Sequence, residues 1–256
     1  PGSRCGSPVG PRCSGTSADH AGRCRPGSRS RAAGPVRRPV GRPVEADSRL
    51  NADPLPGTWP PGAAVFAVDL ADLADLAGRR ISDPRPAVEA GPAGPERDSI
   101  LDLLDTAADV LDRTCRPGHL TGSALVVDPS DRRILLLFHT KLQRWLQPGG
   151  HADGDADLAR VALREAVEET GIDDLRVVEP AVDLDVHMVE PPAEDAHDHH
   201  DVRFLVLAPP GSVPVGNHES EAFRWVSEAD LASLGADKGL CRLAERALSR
   251  LDLLEA

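Results

Sequence analysis

The sequence predicts an α/β or α+β domain over about residues 97–256. Short apolar runs of strand character recur between Leu120 and Ser227, one amphipathic helix interrupts them, and another closes the chain. Strands mixed with helices around an internal helix call for a layered domain built on a sheet. At 256 residues the chain has ample length for a hydrophobic core.

Residues 1–62 are rich in Pro, Gly, Ser and Arg and show no hydrophobic period. Such a segment does not bury enough apolar surface to offset its ordering entropy, so a disordered tail is expected. Its composition also matches translated GC-rich DNA, which makes a spurious extension the second expectation. A basic arm or transit peptide is the functional alternative, favoured by Arg and Ser and opposed by the many Pro and Gly residues.

A short helix and linker are expected over residues 63–96. Ala64–Arg80 repeats Asp-Leu-Ala at three-residue spacing, a helical pattern, and Asp83–Pro95 reads as a Pro/Gly linker. Glu96–Arg113 sets Ile100, Leu103, Leu104, Val110 and Leu111 on one stripe, which predicts an amphipathic helix. Two apolar runs then flank Asp128-Pro129-Ser130-Asp131, a hairpin signal. Leu175–Val189 alternates as a strand with a break at Pro180, and Asp201–Pro209 and Glu221–Ser227 are two further strands. Lys238–Leu254 is the closing helix.

Charge and composition exclude several function classes. The net charge is −12, yet residues 1–43 hold nine Arg and one Asp, about +8, which leaves about −20 for the rest. An acidic body argues against general nucleic-acid binding, and if it handles phosphates a cation must mediate. Tyr is absent, so an aromatic stacking platform is not expected. No apolar run reaches the length of a bilayer span, and the start lacks the apolar core of a secretory signal. The cysteines Cys5, Cys13, Cys24, Cys115 and Cys241 fit no zinc spacing. A reduced, cytoplasmic protein without a membrane partner is the expectation; the sequence specifies no oligomeric state.

The stretch Leu146–Ile172 concentrates the chemistry. A helix from Asp157 to Thr170 would be capped by Asp157, with Asp153 and Asp155 near its positive end, and stopped by Gly171. Glu165, Glu168 and Glu169 then stand at i, i+3 and i+4 on one face, where like charges cost about a few tenths of a kcal/mol per pair. Three carboxylates make a hard-oxygen site for Mg²⁺ or Mn²⁺, and a cation offsets the repulsion. The alternative is a solvated acidic face with Arg160 and Arg164 as partners. Five fixed identities in Arg-Glu-x-x-Glu-Glu-x-Gly recur by chance roughly once per million positions.

From Gly150 to Ile172 the chain resembles a Nudix box, whose pattern is G-x5-E-x7-R-E-U-x-E-E-x-G-U. Gly150, Arg164, Glu165, Glu168, Glu169, Gly171 and Ile172 match at the required spacing, and small Ala166 takes the first U position. The first Glu of the pattern falls on Ala156, and Asp155 and Asp157 flank the vacancy. The resemblance implies a sandwich of a mixed sheet between helices over the last 150–160 residues. It also implies metal-dependent hydrolysis of a diphosphate linked to another group, commonly a nucleoside diphosphate derivative. Glu165, Glu168 and Glu169 would hold Mg²⁺ (Mn²⁺ as the alternative) with a Gly149 or Gly150 carbonyl. Arg164 would orient the carboxylates, and Glu168 would be the base, ahead of Glu219 and Glu221.

A second cluster is His197-x-His199-x-Asp201-x-Arg203. On a strand these four side chains face one way. They are read as a wall of the substrate cleft, with Arg203 and the imidazoles meeting phosphate. A transition-metal pair and an exposed edge-strand face are the alternatives. His151 and Glu221 join the substrate-binding set, and Trp145 is read as core ahead of a base-stacking wall. Two other readings remain: a binding module that has lost turnover, suggested by Ala156, and an isopentenyl diphosphate isomerase type, disfavoured because neither Cys115 nor Cys241 lies near the box.

Overall fold

The computed structural model describes residues 70–192, 194–216 and 220–255. The expected tail over residues 1–62 therefore lies outside the described residues, as does Glu219.

Among the described residues the elements are β1 (Leu70–Ala71), α1 (Leu73–Ala77), α2 (Arg85–Ala90), α3 (Pro95–Thr106), β2 (Gly118–Asp128), β3 (Arg133–His139), β4 (Arg144–Leu146), β5 (Gly149–His151), α4 (Leu158–Thr170), β6 (Arg176–Val189), β7 (His197–Leu207), β8 (Ser220–Val226) and α5 (Lys238–Glu255). A 3₁₀ turn, Glu228–Leu234, precedes α5. The eight strands form one sheet in the order β1-β6-β7-β2-β3-β4, with β5 on β2 and β8 on β3. β2 and β7 are parallel and the other pairs are antiparallel, so the sheet is mixed.

Strand β2 shows why the sheet needs cover on both faces. Every one of its residues is buried. Leu120, Ala124 and Val126 pack in one core with Val161 and Ala162 of α4 and Ile100 of α3. Leu125 and Val127, on the alternate face, pack with Leu240, Leu243 and Ala247 of α5. The result is the expected sandwich, a mixed sheet between helices. Each fully buried Leu or Val contributes about 1.5–3 kcal/mol, so either layer removed alone would leave a large unpaid apolar face.

Helix α4 forms where its signals place it. Asp157 accepts the Arg160 N–H at 3.3 Å, and Gly171 closes the helix at φ 61°. A side chain at Gly171 would be strained in that left-handed backbone, and a Cβ would lie 2.8 Å from the Val215 carbonyl oxygen.

Four expectations need correction. Among the described residues the short helix expected within Ala64–Arg80 spans only Leu73–Ala77: Leu70 and Ala71 pair with Val178 and Val177, and Asp72 with Asp75 builds a capping box that starts α1. The Asp83–Pro95 linker contains α2, whose first turn tolerates Pro86 because its missing N–H has no helical partner there. The helix expected to reach Arg113 ends at Thr106, because Ala107 is extended and the Val110 carbonyl accepts the Leu120 N–H at 2.8 Å. Finally, a domain starting at residue 97 cuts through packed structure. Leu76 and Val88 are fully buried in the same core as α3 and α4.

Strand β6 runs through Pro180, with its register against β7 shifting between Val178 and Asp183. Pro supplies no N–H to the ladder, so the irregularity falls where pairing is interrupted.

Candidate active site

The Gly149-Gly150-His151 strand β5 lies against β2, with Gly150 opposite Gly122 and His151 opposite Thr121. Directly opposed residues share a face, so Gly150 opens toward α4 and His151 toward the other side. A Cβ on Gly150 would lie 2.4 Å from the Glu165 carboxyl carbon, and glycine alone leaves that carboxylate room. Glu169 is 7% exposed and accepts the Gly149 N–H at 3.2 Å. The glycine loop and the carboxylate face of α4 are thus built as one unit.

Burial pushes the Glu165 carboxyl above its ordinary value; the Arg164 guanidinium opposes this, and Glu168 and Asp153 add to it. Arg164 donates to Glu165 Oε1 at 2.8 Å and to the His151 carbonyl at 3.1 Å. It therefore ties the helix to the strand and orients Glu165. Glu169 is buried, Glu165 half-buried and Glu168 exposed, and three mutually repelling carboxylates beside a backbone loop are an oxygen donor set suited to a hard divalent cation. Glu165, Glu168 and Glu169 fit that group on this ground.

Ala156 is buried, at 4% exposed. Its flanking carboxylates are engaged away from the vacancy they were expected to fill. Asp155 binds Arg160 Nε at 2.8 Å and Nη2 at 2.5 Å. Asp157 caps α4 and lies 3.2 Å from Arg79 Nε. Both carboxylates serve the start of the helix.

Strand β7 lies between β6 and β2, so the expected edge-strand alternative for its face does not hold. His197 and Arg203 are buried, at 4% and 5% exposed, and His199 is half-buried. Arg203 differs from expectation. Its Nε binds Asp201 at 2.7 Å, its Nη2 Asp185 at 2.9 Å and its Nη1 Asp183 at 3.4 Å. Enclosed by carboxylates, it is a structural cation, and its donors face aspartate where phosphate was expected. Glu221 is exposed and accepts Gln143 Nε2 at 3.2 Å. Trp145 packs partly into the α5-side core, edge-on to Phe138, with Arg224 over its ring at 5.1 Å.

The structure gathers more imidazoles than sequence reasoning found. Across the β6-β7-β2 rung, His187 stands opposite His199, and His199 opposite His119. His119 lies 4.9 Å from both the His197 and the His199 rings, and His151 lies 5.0 Å from His119. Burial, reinforced by neighbouring imidazoles, pushes His119 down to about 4 and His199 down to about 3. His119 and His187 carry no sequence signal of their own; only strand register brings them together.

Residues 118–244, the span from β2 into α5, match the NUDIX domain family. This span is a NUDIX domain. Nudix enzymes are pyrophosphohydrolases acting on acid anhydrides, and this chain falls in that enzyme class. Solved structures with similar Nudix folds include an Ap4A hydrolase from C. elegans, 18% identical, covering 52% of this chain and 97% of that one, with a TM-score of 0.44. A NUDIX-family hydrolase from Clostridium perfringens is 24% identical, covering 54% and 98%, with a TM-score of 0.43. The E. coli dihydroneopterin triphosphate pyrophosphohydrolase is 17% identical, covering 52% and 97%, also at 0.43. No curated protein matches the sequence. Among the described residues no helix is long and apolar enough to cross a membrane.

Proposed function

We propose that the chain hydrolyses, with Mg²⁺, the pyrophosphate bond of a nucleoside diphosphate linked to another moiety. The observation that carries this reading is the docking of Glu165 on Gly150 and of Glu169 on the Gly149 N–H. Glu165, Glu168 and Glu169 would hold the ion, with the Gly150 carbonyl as a further oxygen donor. A bound Mg²⁺ (or Mn²⁺) supplies charge neutralisation of the pyrophosphate and a lower cost of deprotonating water.

The protein's own groups do the remaining work. Arg164 fixes the Glu165 carboxylate through its 2.8 Å hydrogen bond. Glu168, on the same helical face, accepts the proton of the attacking water as general base. His151, His197 and His199, on the other side of the sheet, form a polar wall for the group joined to the diphosphate. Arg203 supports that wall through Asp201, and exposed Glu221 on β8 would be a further substrate contact. We infer a small-molecule substrate and a cytoplasmic setting, consistent with the free thiols of Cys115 and Cys241.

A second reading rests on Ala156. With Asp155 and Asp157 committed to Arg160 and Arg79, no carboxylate of theirs replaces the missing Glu, and a weakened module that binds nucleotide would result. Release of phosphate products from a panel of nucleoside diphosphate compounds, with and without Mg²⁺, separates the two. Turnover that requires Mg²⁺ supports the hydrolase and names its substrate class; saturable binding without turnover supports the module.

A further inference from the structure

We propose that His119, His197 and His199 form a second metal site, for a borderline divalent cation of the Zn²⁺ type. One ring nitrogen from each lies within 4.8 Å of the others. A tetrahedral zinc site brings its nitrogens to about 3.4 Å of each other, so the three rings would close in around the ion on binding.

The chemistry of the rings favours a metal over a hydrogen-bonded core. His119 is 1% exposed, and neither of its ring nitrogens makes a hydrogen bond of normal geometry, although the Cys115 backbone lies near enough to favour its protonated form slightly. A buried imidazole without partners forfeits its full desolvation cost, which a metal–nitrogen bond would recover. His197 is already oriented as a ligand. Its Nδ1 lies 2.7 Å from the Asp195 carbonyl oxygen, which only accepts, so Nδ1 carries the proton and Nε2 keeps its lone pair. That backbone support is the usual partner of a metal-bound histidine. His199 is half-buried on the central strand of the rung and reaches solvent.

This site differs from the carboxylate site in donor, metal and position. Imidazole nitrogens suit zinc, iron, copper and nickel, whereas carboxylates suit magnesium. His119 stands on the Thr121–Ser123 face of β2, and α4 packs on the opposite face at Gly122. Three protein ligands leave a fourth position, with His187 and His151 as ring neighbours 5.5 Å and 5.2 Å from His199.

The test uses the full chain, stripped with a chelator and titrated with Zn²⁺ alone against a chromophoric competitor. Cys5, Cys13 and Cys24 also offer ligands, so the readout is the difference between parent and variants. The parent is expected to bind one equivalent more than either His119→Asn or His199→Asn, each weakening that equivalent at least about 100-fold. Glu165→Gln is expected to keep it. Co²⁺ in the same site is expected to give a visible tetrahedral spectrum that the histidine variants lose. If His119→Asn fails to fold, His199→Asn, at a partly exposed position, carries the comparison, with circular dichroism checking its fold. Equal zinc stoichiometry and affinity in parent and folded His199→Asn would overturn the proposal, as would loss of the equivalent in Glu165→Gln.

Discussion

Gly150 and Glu165 occupy each other's space: a Cβ on the first would sit 2.4 Å from the carboxyl carbon of the second. Gly150→Ala therefore has to displace the carboxylate. Because that carboxylate ends a flexible side chain, the fold is expected to survive with a melting temperature within a few degrees of the parent. Turnover is expected to drop about 100-fold, the scale of an ångström-sized misplacement. Steady-state kinetics beside a thermal melt checks both halves; parental turnover would show that the Glu165 position is immaterial.

Glu165 is held at a cost. Burial raises its proton affinity, and Glu168 adds repulsion. Replacing it with Gln keeps the acceptor for Arg164 and removes the buried charge, so the metal-free Glu165→Gln protein is expected to be more stable by about 0.5–2 kcal/mol. Added Mg²⁺ is expected to raise the melting temperature of the parent and to leave the variant unchanged, since only a native state that binds the ion gains from it. Calorimetry with and without Mg²⁺ tests this pair of outcomes.

Asp183 is fully buried and accepts from Arg203, Arg242 and Arg246. Asp183→Ala leaves Arg203 without one of its enclosing carboxylates, and a loss of about 3–5 kcal/mol is expected in urea unfolding. An unchanged midpoint would show that the network carries no net stability.

The same network predicts a pH dependence. Burial alone would raise the Asp185 carboxyl, but hydrogen bonds with His187 and Arg242 and the charge of Arg203 hold it well below the usual carboxylate range. The unfolded chain then binds this proton more readily than the folded one, so stability rises with pH across the window. The contribution is complete above about pH 4, the unfolded carboxylate value, and is lost as pH falls below it. Arg242→Gln is expected to cost about 2 kcal/mol at neutral pH, with the gap to the parent narrowing steadily as pH falls below about 4. A gap that stays constant through acid would remove Asp185 from the explanation.

Leu76, fully buried in the α4-side core, links the segment before residue 97 to the domain. Leu76→Ala is expected to cost about 2–5 kcal/mol. A melting temperature equal to the parent's would restore the boundary at residue 97.

Helix α4 was legible residue by residue because its information is local: Asp157 caps it, Gly171 stops it, and the spacing of Glu165, Glu168 and Glu169 sets one face. The hairpin of β2 and β3 and helix α5 were legible for the same reason. Helix α2 was hidden because Pro86 reads as a breaker unless it is known to lie in a first turn. Arg203 was misread because two of its three carboxylates, Asp183 and Asp185, come from another strand. His119 and His187 were invisible because the parallel register of β2 on β7, and the register of β6 across a bulge, are long-range facts.

Hydrolysis of a nucleoside diphosphate compound by parent and Glu168→Gln, each with and without Mg²⁺, is the most direct measurement. Turnover by the parent only when Mg²⁺ is present, and its loss in a Glu168→Gln protein that melts normally and still binds the substrate, is the predicted result. Equal turnover in the two proteins, or turnover indifferent to Mg²⁺, would contradict the assignment of the α4 carboxylates as the working site.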